Sequence, residues 1–387
     1  MIVRRLTRED LPAMDRIHSI SFHFPLNVEE SEKKAEKASE EWLRQCWGCF
    51  ADDGEMMAVV INNDFQVLFD GQFVKMGGIG GVSTLPEYRY GGAVKETLRA
   101  ILTDARENGE VFSSLYPFSH EFYRKAGYEQ FLPLIEYHFE PDLLSGYRHT
   151  GWTRRMKPDG DLTEMKEIYR AFAKRYNMMF DRADGRYRIG NPFKDEQFTM
   201  LLGDERGARA FMYYRTDKGG EGNVLNVRDI AFKDEEGFRM CLGYLGRMAA
   251  DYKFIKIMLP EDIPLRMLVP RPYDVTVSMR EQPMARITNV QKALELMKKP
   301  EDAAFTVKVE DEFLPENSGT YKVSAQGVCR TEEEADIEVS SRALTLLVLG
   351  TLDLMQAEFR KDVKVLNNRE ALGKTFVRKP MFMADYF

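Results

Sequence analysis

Gly77-Gly78-Ile79-Gly80-Gly81-Val82-Ser83-Thr84-Leu85-Pro86-Glu87-Tyr88-Arg89-Tyr90-Gly91-Gly92-Ala93-Val94-Lys95 is the stretch that decides the fold. Its first half reads as a glycine-rich strand ending at Leu85. Its second half turns at Pro86 into an amphipathic helix, with Val94, Leu98, Ile101 and Leu102 at helical spacing. Glycines at the mouth of such a helix let a ligand approach the backbone. The first turn also leaves N–H groups without intrahelical partners, which suits an anion such as a pyrophosphate. A strand–turn–helix junction using glycine for tight packing would look the same, and these residues alone do not separate the two readings.

The rest of the chain narrows the setting. At 387 residues it is long enough for two or three domains. Hydrophobic residues at 44% and charged residues at 30% are those of an ordinary globular protein with a sizeable core. The net charge of −7 lacks the basic footprint of a nucleic-acid binder. No apolar run is long enough to span a bilayer and Met1–Asp10 has no signal-type apolar core, so a cytoplasmic protein without membrane partners is expected. The C-x-x-C at Cys46–Cys49 has no second pair for zinc, and it leads into a strand where a redox pair would open a helix, so it reads as structural. Five scattered histidines show no ligand spacing, and no metal is expected.

Along the chain, Ile2–Leu6 reads as a strand and Leu11–Phe22 as a helix behind a Thr7/Asp10 capping box. Glu29–Trp42 reads as one solvated, charged helix. Strands follow at Met56–Ile61 and Phe65–Phe69, with a hairpin turn at Asp70-Gly71. After the opening stretch come a strand at Val111–Leu115, parallel to the one ending at Leu85, a short helix bearing Phe122 and Tyr123, and a strand at Leu132–Phe139. This is an α/β (α+β) layer on a mixed sheet. A boundary is expected near Tyr147–Gly151, giving domains at 1–148, 149–285 and 286–387. The second repeats the plan more loosely. Its long helix opens on Asp234-Glu235-Glu236, which would repel a pyrophosphate. The third holds an apolar helix at Ser340–Gly350 and ends in the apolar tail Met381–Phe387, which should be packed.

Val82-x-x-Leu85-Pro86-x-x-Arg89-x-x-Gly92-x-Val94 resembles the acetyl-CoA signature of the GCN5-related N-acetyltransferases, the GNAT superfamily, with Val94 in place of the usual last Gly or Ala. Phe122-Tyr123-Arg124-Lys125-Ala126-Gly127-Tyr128 is similar to a segment of the enhanced-intracellular-survival (Eis) family. The three-part layout and the aromatic last residue resemble that family too. The resemblance implies an active GNAT domain, a degenerate second GNAT domain and a C-terminal domain similar to sterol carrier proteins. It implies acetyl-CoA as co-substrate, an amine on a small molecule or peptide as acceptor, and a homo-oligomer, with a hexamer as one form.

Residue by residue, the resemblance puts Val82, Ser83 and Thr84 on the strand that pairs with the pantetheine arm. Arg89, Tyr90, Gly91, Gly92, Ala93, Val94 and Lys95 fall on the pyrophosphate loop, and Phe118 and Ser119 beside the coenzyme's far end. Tyr90 and Gly91 stand where some relatives carry arginines, leaving fewer positive charges. Phe22, His23 and Phe24 fall on the acceptor pocket. Tyr123 matches the general acid and the α-carboxylate of Phe387 the general base.

The chemistry is consistent with those roles. An ammonium must lose a proton before it attacks, and a leaving thiolate should gain one. A tyrosine of pKa about 10 can serve a thiolate near 8.5 with help from geometry. A carboxylate in an apolar pocket becomes a better base than in water. The expected function is acetyl transfer to primary amines of aminoglycoside- or polyamine-like molecules or of lysine side chains. The alternatives are a lipid- or acyl-binding protein with inactive acetyltransferase domains, and transfer of a longer acyl chain.

Overall fold

The structure is a computed structural model that describes residues 1–281 and 283–387. The chain forms two compact units. One holds Met1–Phe131, Pro283–Arg378 and Tyr386–Phe387, and the other holds Leu132–Gln282 and Lys379–Asp385.

The first unit opens with β1 (Ile2–Arg5), α1 (Leu11–Phe22), α2 (Val28–Glu36) and α3 (Glu40–Gln45). There follow β2 (Cys46–Phe50), β3 (Met56–Phe69), β4 (Gln72–Thr84), α4 (Ala93–Glu107), β5 (Phe112–Leu115), α5 (His120–Arg124) and β6 (Glu129–Gln130). The expected single helix at 29–42 is two, because the Ser39 side chain accepts from the Trp42 amide and starts a new helix. The two strands expected before Asp70-Gly71 are one. Asn62, Asn63 and Asp64 stay in register with Ile79, Gly78 and Gly77, and their side chains find polar work, Asn62 on Glu110 and Asn63 on the Gly78 carbonyl. The stripe on α1 (Leu11, Met14, Ile17) packs on Val59 and Ile61, and that on α4 (Leu98, Ile101, Leu102) on Val60 and Ile79 from the opposite face.

The second unit takes β7 (Pro133–Phe139), β8 (Trp152–Arg155), α6 (Thr163–Ala173), β9 (Gln197–Asp204), β10 (Gly207–Gly219), β11 (Gly222–Phe232), α7 (Glu235–Gly246), β12 (Phe254–Leu259) and β13 (Thr276–Glu281) into a seven-stranded sheet ordered β13-β7-β12-β11-β10-β9-β8. The tail segment Lys379–Asp385 belongs to this unit. Asn177 exchanges backbone hydrogen bonds with Pro380 and Phe382, and the buried Arg182 guanidinium binds both Asp229 and Asp385.

The chain then re-enters the first unit. β14 (Met284–Ile287) pairs antiparallel with β5, completing the order β1-β2-β3-β4-β5-β14-β6. After α8 (Val290–Leu296), the strands β15 (Ala304–Glu310), β16 (Gly319–Ser324), β17 (Gly327–Thr331), β18 (Ile337–Ser340) and β19 (Val363–Val365) form a five-stranded sheet. Its helices are α9 (Ser341–Leu349), α10 (Leu354–Ala357) and α11 (Arg369–Thr375), and α9 is buried along its apolar length.

One sequence expectation is therefore corrected. The strand at 132–139 does not close the first sheet but joins the second, between β12 and β13. The compact units change at Phe131/Leu132, and Arg286 lies in a strand of the first sheet. Pleated alternation states that a strand has a buried face; it does not state which neighbour supplies the ladder.

Candidate active site

β4 pairs in parallel with β5 only from Met76/Phe112 to Ile79/Leu115, and runs on to Thr84 beyond the last pair. At that point its ladder with β3 is bulged. Ile61 faces Gly80 and Val59 faces Ser83, so Gly81 and Val82 stand against Val60 alone. The Gly81 carbonyl is met by His18 Nε2 at 3.0 Å and by the Ser83 hydroxyl at 3.2 Å. Burial lowers the His18 pKa, so the ring is neutral and donates with the proton on Nε2. Val82, Ser83 and Thr84, expected beside the pantetheine arm, thus line the part of β4 that has left β5.

Alternation along β4 places Gly78 and Gly80 on the face of α1, and Ile79 on the face of α4. Phe387 lies on the first face. A β-carbon at Gly78 would come within 2.3 Å of the Phe65 ring and 2.9 Å of the Phe387 ring, so glycine leaves room for both; one at Gly80 would be 3.9 Å from the Phe387 carboxyl carbon. Tyr123 lies on the other face, 2% exposed, clustered with Ile79 and Leu115. Its ring meets Phe118, Phe122 and Tyr128 edge to face. Burial, with the Tyr128 hydroxyl as a further influence, pushes its pKa well above the ordinary tyrosine value and keeps it protonated. The general acid and base expected from sequence are thus placed in one unit, at the end of the β4–β5 pairing and on opposite faces.

The loop before α4 has the shape of an anion cradle. Tyr90 (φ 65°) and Gly92 (φ 87°) are both left-handed, and Gly92 caps α4 without a side chain, so the amides of Ala93, Val94 and Lys95 are not used by a cap. Arg89, Tyr90, Gly91 and Lys95 are exposed, and Val94 packs inward, which is why a larger residue is tolerated there. Phe118 is exposed, and Ser119 caps α5 through the Phe122 amide. Phe22, His23 and Phe24 end α1, exposed, and the neighbouring Ser21 hydroxyl reaches the Thr84 carbonyl at 3.4 Å. No group of three His, Cys, Asp or Glu is placed to hold a metal ion among the described residues, and no helix among them is long and apolar enough to cross a membrane.

Sequence reasoning missed Asn63, Phe65, Tyr116, Tyr386 and His18. Phe65 and Tyr116 flank the tail end, with ring centroids 5.0 and 5.4 Å from Phe387. No local pattern announces them; the only signal was the aromatic tail itself.

Residues 2–131 match an acetyltransferase (GNAT) domain family, residues 175–287 a second acetyltransferase (GNAT) family, and residues 290–383 a sterol carrier protein domain. The chain is therefore an acyltransferase of the GNAT class, with two such domains and a sterol carrier protein domain. Three solved structures share the whole architecture. A GCN5-related N-acetyltransferase from Anabaena variabilis ATCC 29413 is 20% identical over 100% of both chains, with a TM-score of 0.86. A probable N-acyltransferase from Enterococcus faecalis V583 is 23% identical over 100% of this chain and 99% of its own, with a TM-score of 0.86. Eis1 from Mycobacterium abscessus is 20% identical over 100% of both chains, with a TM-score of 0.82. At these identities the likeness is one of fold, and with the domain content it is consistent with an Eis-family GNAT. No curated protein matches the chain by sequence.

Proposed function

We propose that the protein is an acetyl-CoA-dependent N-acetyltransferase acting on primary amines, either of aminoglycoside- or polyamine-like molecules or of lysine side chains. The observation that carries this reading is the pairing of Phe387, beside Gly80 on one face of the split strand, with a buried, protonated Tyr123 on the other. The residues present fit the coenzyme: a left-handed loop and an uncapped helix start for the diphosphate, and a stretch of β4 that no longer pairs with β5 for the arm.

When bound, acetyl-CoA supplies the acyl group as a thioester and a thiolate as leaving group. The Tyr90–Lys95 loop would hold its phosphates, through the N–H groups of Ala93, Val94 and Lys95 and with the Arg89 and Lys95 side chains alongside, and Phe118 and Ser119 would flank its far end. The β4 backbone at Val82–Thr84 donates to the arm and to the oxygen on which negative charge develops. The Phe387 carboxylate takes a proton from the acceptor ammonium, leaving a neutral amine to attack. As the N–C bond forms and the C–S bond breaks, Tyr123 gives its proton to the sulfur, and the proton that the nitrogen sheds on becoming an amide returns to the tyrosinate. Phe22, His23 and Phe24 form part of the acceptor pocket, aromatic surface that attracts a cationic amine.

A panel of amines, read by release of free CoA thiol, tests the proposal. Tyr123→Phe and deletion of Phe387 should each lower kcat about 10²- to 10⁴-fold with little change in the KM for acetyl-CoA. If neither variant slows thiol release, the assigned roles are wrong. Preference for a long-chain acyl-CoA, or a stoichiometric lipid on a protein that releases no thiol, would replace the reading.

A further inference from the structure

The C-terminal residue is the one part of a chain that normally frays. Here it ends over a strand stripped of side chains, since Gly78 and Gly80 offer nothing to grip. What surrounds it is aromatic. Tyr116, the residue after β5, stacks on Tyr386 with centroids 4.1 Å apart and planes 14° apart, and meets Phe387 at 5.4 Å and 62°. From the other side, Phe65 on β3 meets Phe387 at 5.0 Å and 58°. The tilted contacts to Phe387 are among the favoured geometries of aromatic pairs, and the Tyr116–Tyr386 stack is a close one. Two rings anchored in adjoining parts of one sheet thus fix both of the last two residues.

We propose that Tyr116 and Phe65 are positioning residues: through the rings of Tyr386 and Phe387 they hold the terminal carboxylate over Gly80. The inference rests on the reading of that carboxylate as the base. It goes further in assigning the base's aim to an aromatic clamp, in which the Tyr116 ring face is what matters. A carboxylate on a free terminus samples many orientations. Holding it at its productive, hydrogen-bonding position beside the acceptor nitrogen matters because a misplacement of about 1 Å can cost about 100-fold in rate.

The test compares Tyr116→Leu, Tyr116→Phe, deletion of Phe387, and Tyr116→Leu combined with that deletion. Tyr116→Leu should lower kcat about 10- to 100-fold while the KM for acetyl-CoA changes little. Tyr116→Phe, which keeps the stack, should restore kcat. Once Phe387 is gone, Tyr116→Leu should have no further effect, because the residue acts through the carboxylate. Carboxypeptidase should release Phe387 faster from Tyr116→Leu than from wild type, independently of any activity assay. Unchanged kcat and unchanged carboxypeptidase release in Tyr116→Leu overturn the clamp, as does an equal loss of rate with and without Phe387. Full activity after deletion of Phe387 overturns the base itself.

Discussion

In both seven-stranded sheets the inner strand of the long hairpin bulges just beyond the point where it stops pairing with its parallel neighbour. In the first, β4 leaves β5 after Ile79/Leu115 and bulges at Gly81 and Val82; in the second, β11 leaves β12 after Val227/Ile257 and bulges at Arg228. The frames match and the contents do not. α4 starts on Gly92 without a side-chain cap, whereas the Asp234 side chain of α7 accepts from the Gly237 amide, pairs with Arg209 and is followed by Glu235 and Glu236. Next to the first bulge lie glycines and a chain end; next to the second, Asp229 is bound by Arg182, which also holds Asp385. A cradle for an anion is thus made or closed by very few residues. An acid at the helix start satisfies the amides that a phosphate would need and adds the wrong charge.

The largest effect that sharpens this comparison concerns two amide–carboxylate pairs, the buried Asn62–Glu110 in the first sheet and the part-buried Asn226–Asp217 in the second. Asp217 also pairs with Arg215. Glu110 is 7% exposed, and burial, partly offset by the Asn62 hydrogen bond, pushes its pKa up to about 7. Because the folded pKa lies above the ordinary one, this group's contribution is complete below about pH 4.5 and is lost as pH rises through about 7. Above both values the ionised carboxylate costs about 3 kcal/mol. Glu110→Gln cannot ionise, and its amide can donate to Asn62 Oδ1, which finds no partner among the described residues. Urea unfolding should show the variant gaining on wild type from about pH 5 to about pH 8. Parallel stability–pH profiles would remove Glu110 from the account.

Next in size is Gly92→Asp, which gives α4 the start that α7 has. The left-handed φ at this position adds strain, and the acid opposes the phosphates, so the KM for acetyl-CoA should rise about tenfold or more, equivalent to about 1.4 kcal/mol. The smallest effect is the reciprocal change: Asp234→Ala should cost about 1 kcal/mol of stability through the lost cap and leave the acetyl-CoA KM unchanged. A shift in that KM would mean that the second domain takes part in coenzyme binding.

How much of this was legible follows the range of the interactions. The Gly77–Lys95 stretch could be placed because strand, turn and helix start are local signals, and Tyr123 because its segment resembles a family motif. Packing of the tail followed from its apolar residues, and Met381 to Ala384 are buried. The exchange of strands was not legible, since Pro133–Phe139 alternates in the same way beside β12 as it would beside β5. Nor was the aromatic setting of Phe387: Phe65 and Tyr116 lie hundreds of residues from it in sequence, and a stacked ring has no sequence signature. The polar Asn62-Asn63-Asp64 read as a break because their partners, the Glu110 carboxylate and the Gly78 carbonyl, are contributed from elsewhere.

Titration calorimetry with acetyl-CoA tests the central claim, that the first domain is the coenzyme site and the second is closed by its own residues. The account predicts one site per chain, weakened about tenfold by Gly92→Asp and unaffected by Asp234→Ala. Two sites per chain, or one site indifferent to Gly92→Asp, would contradict it.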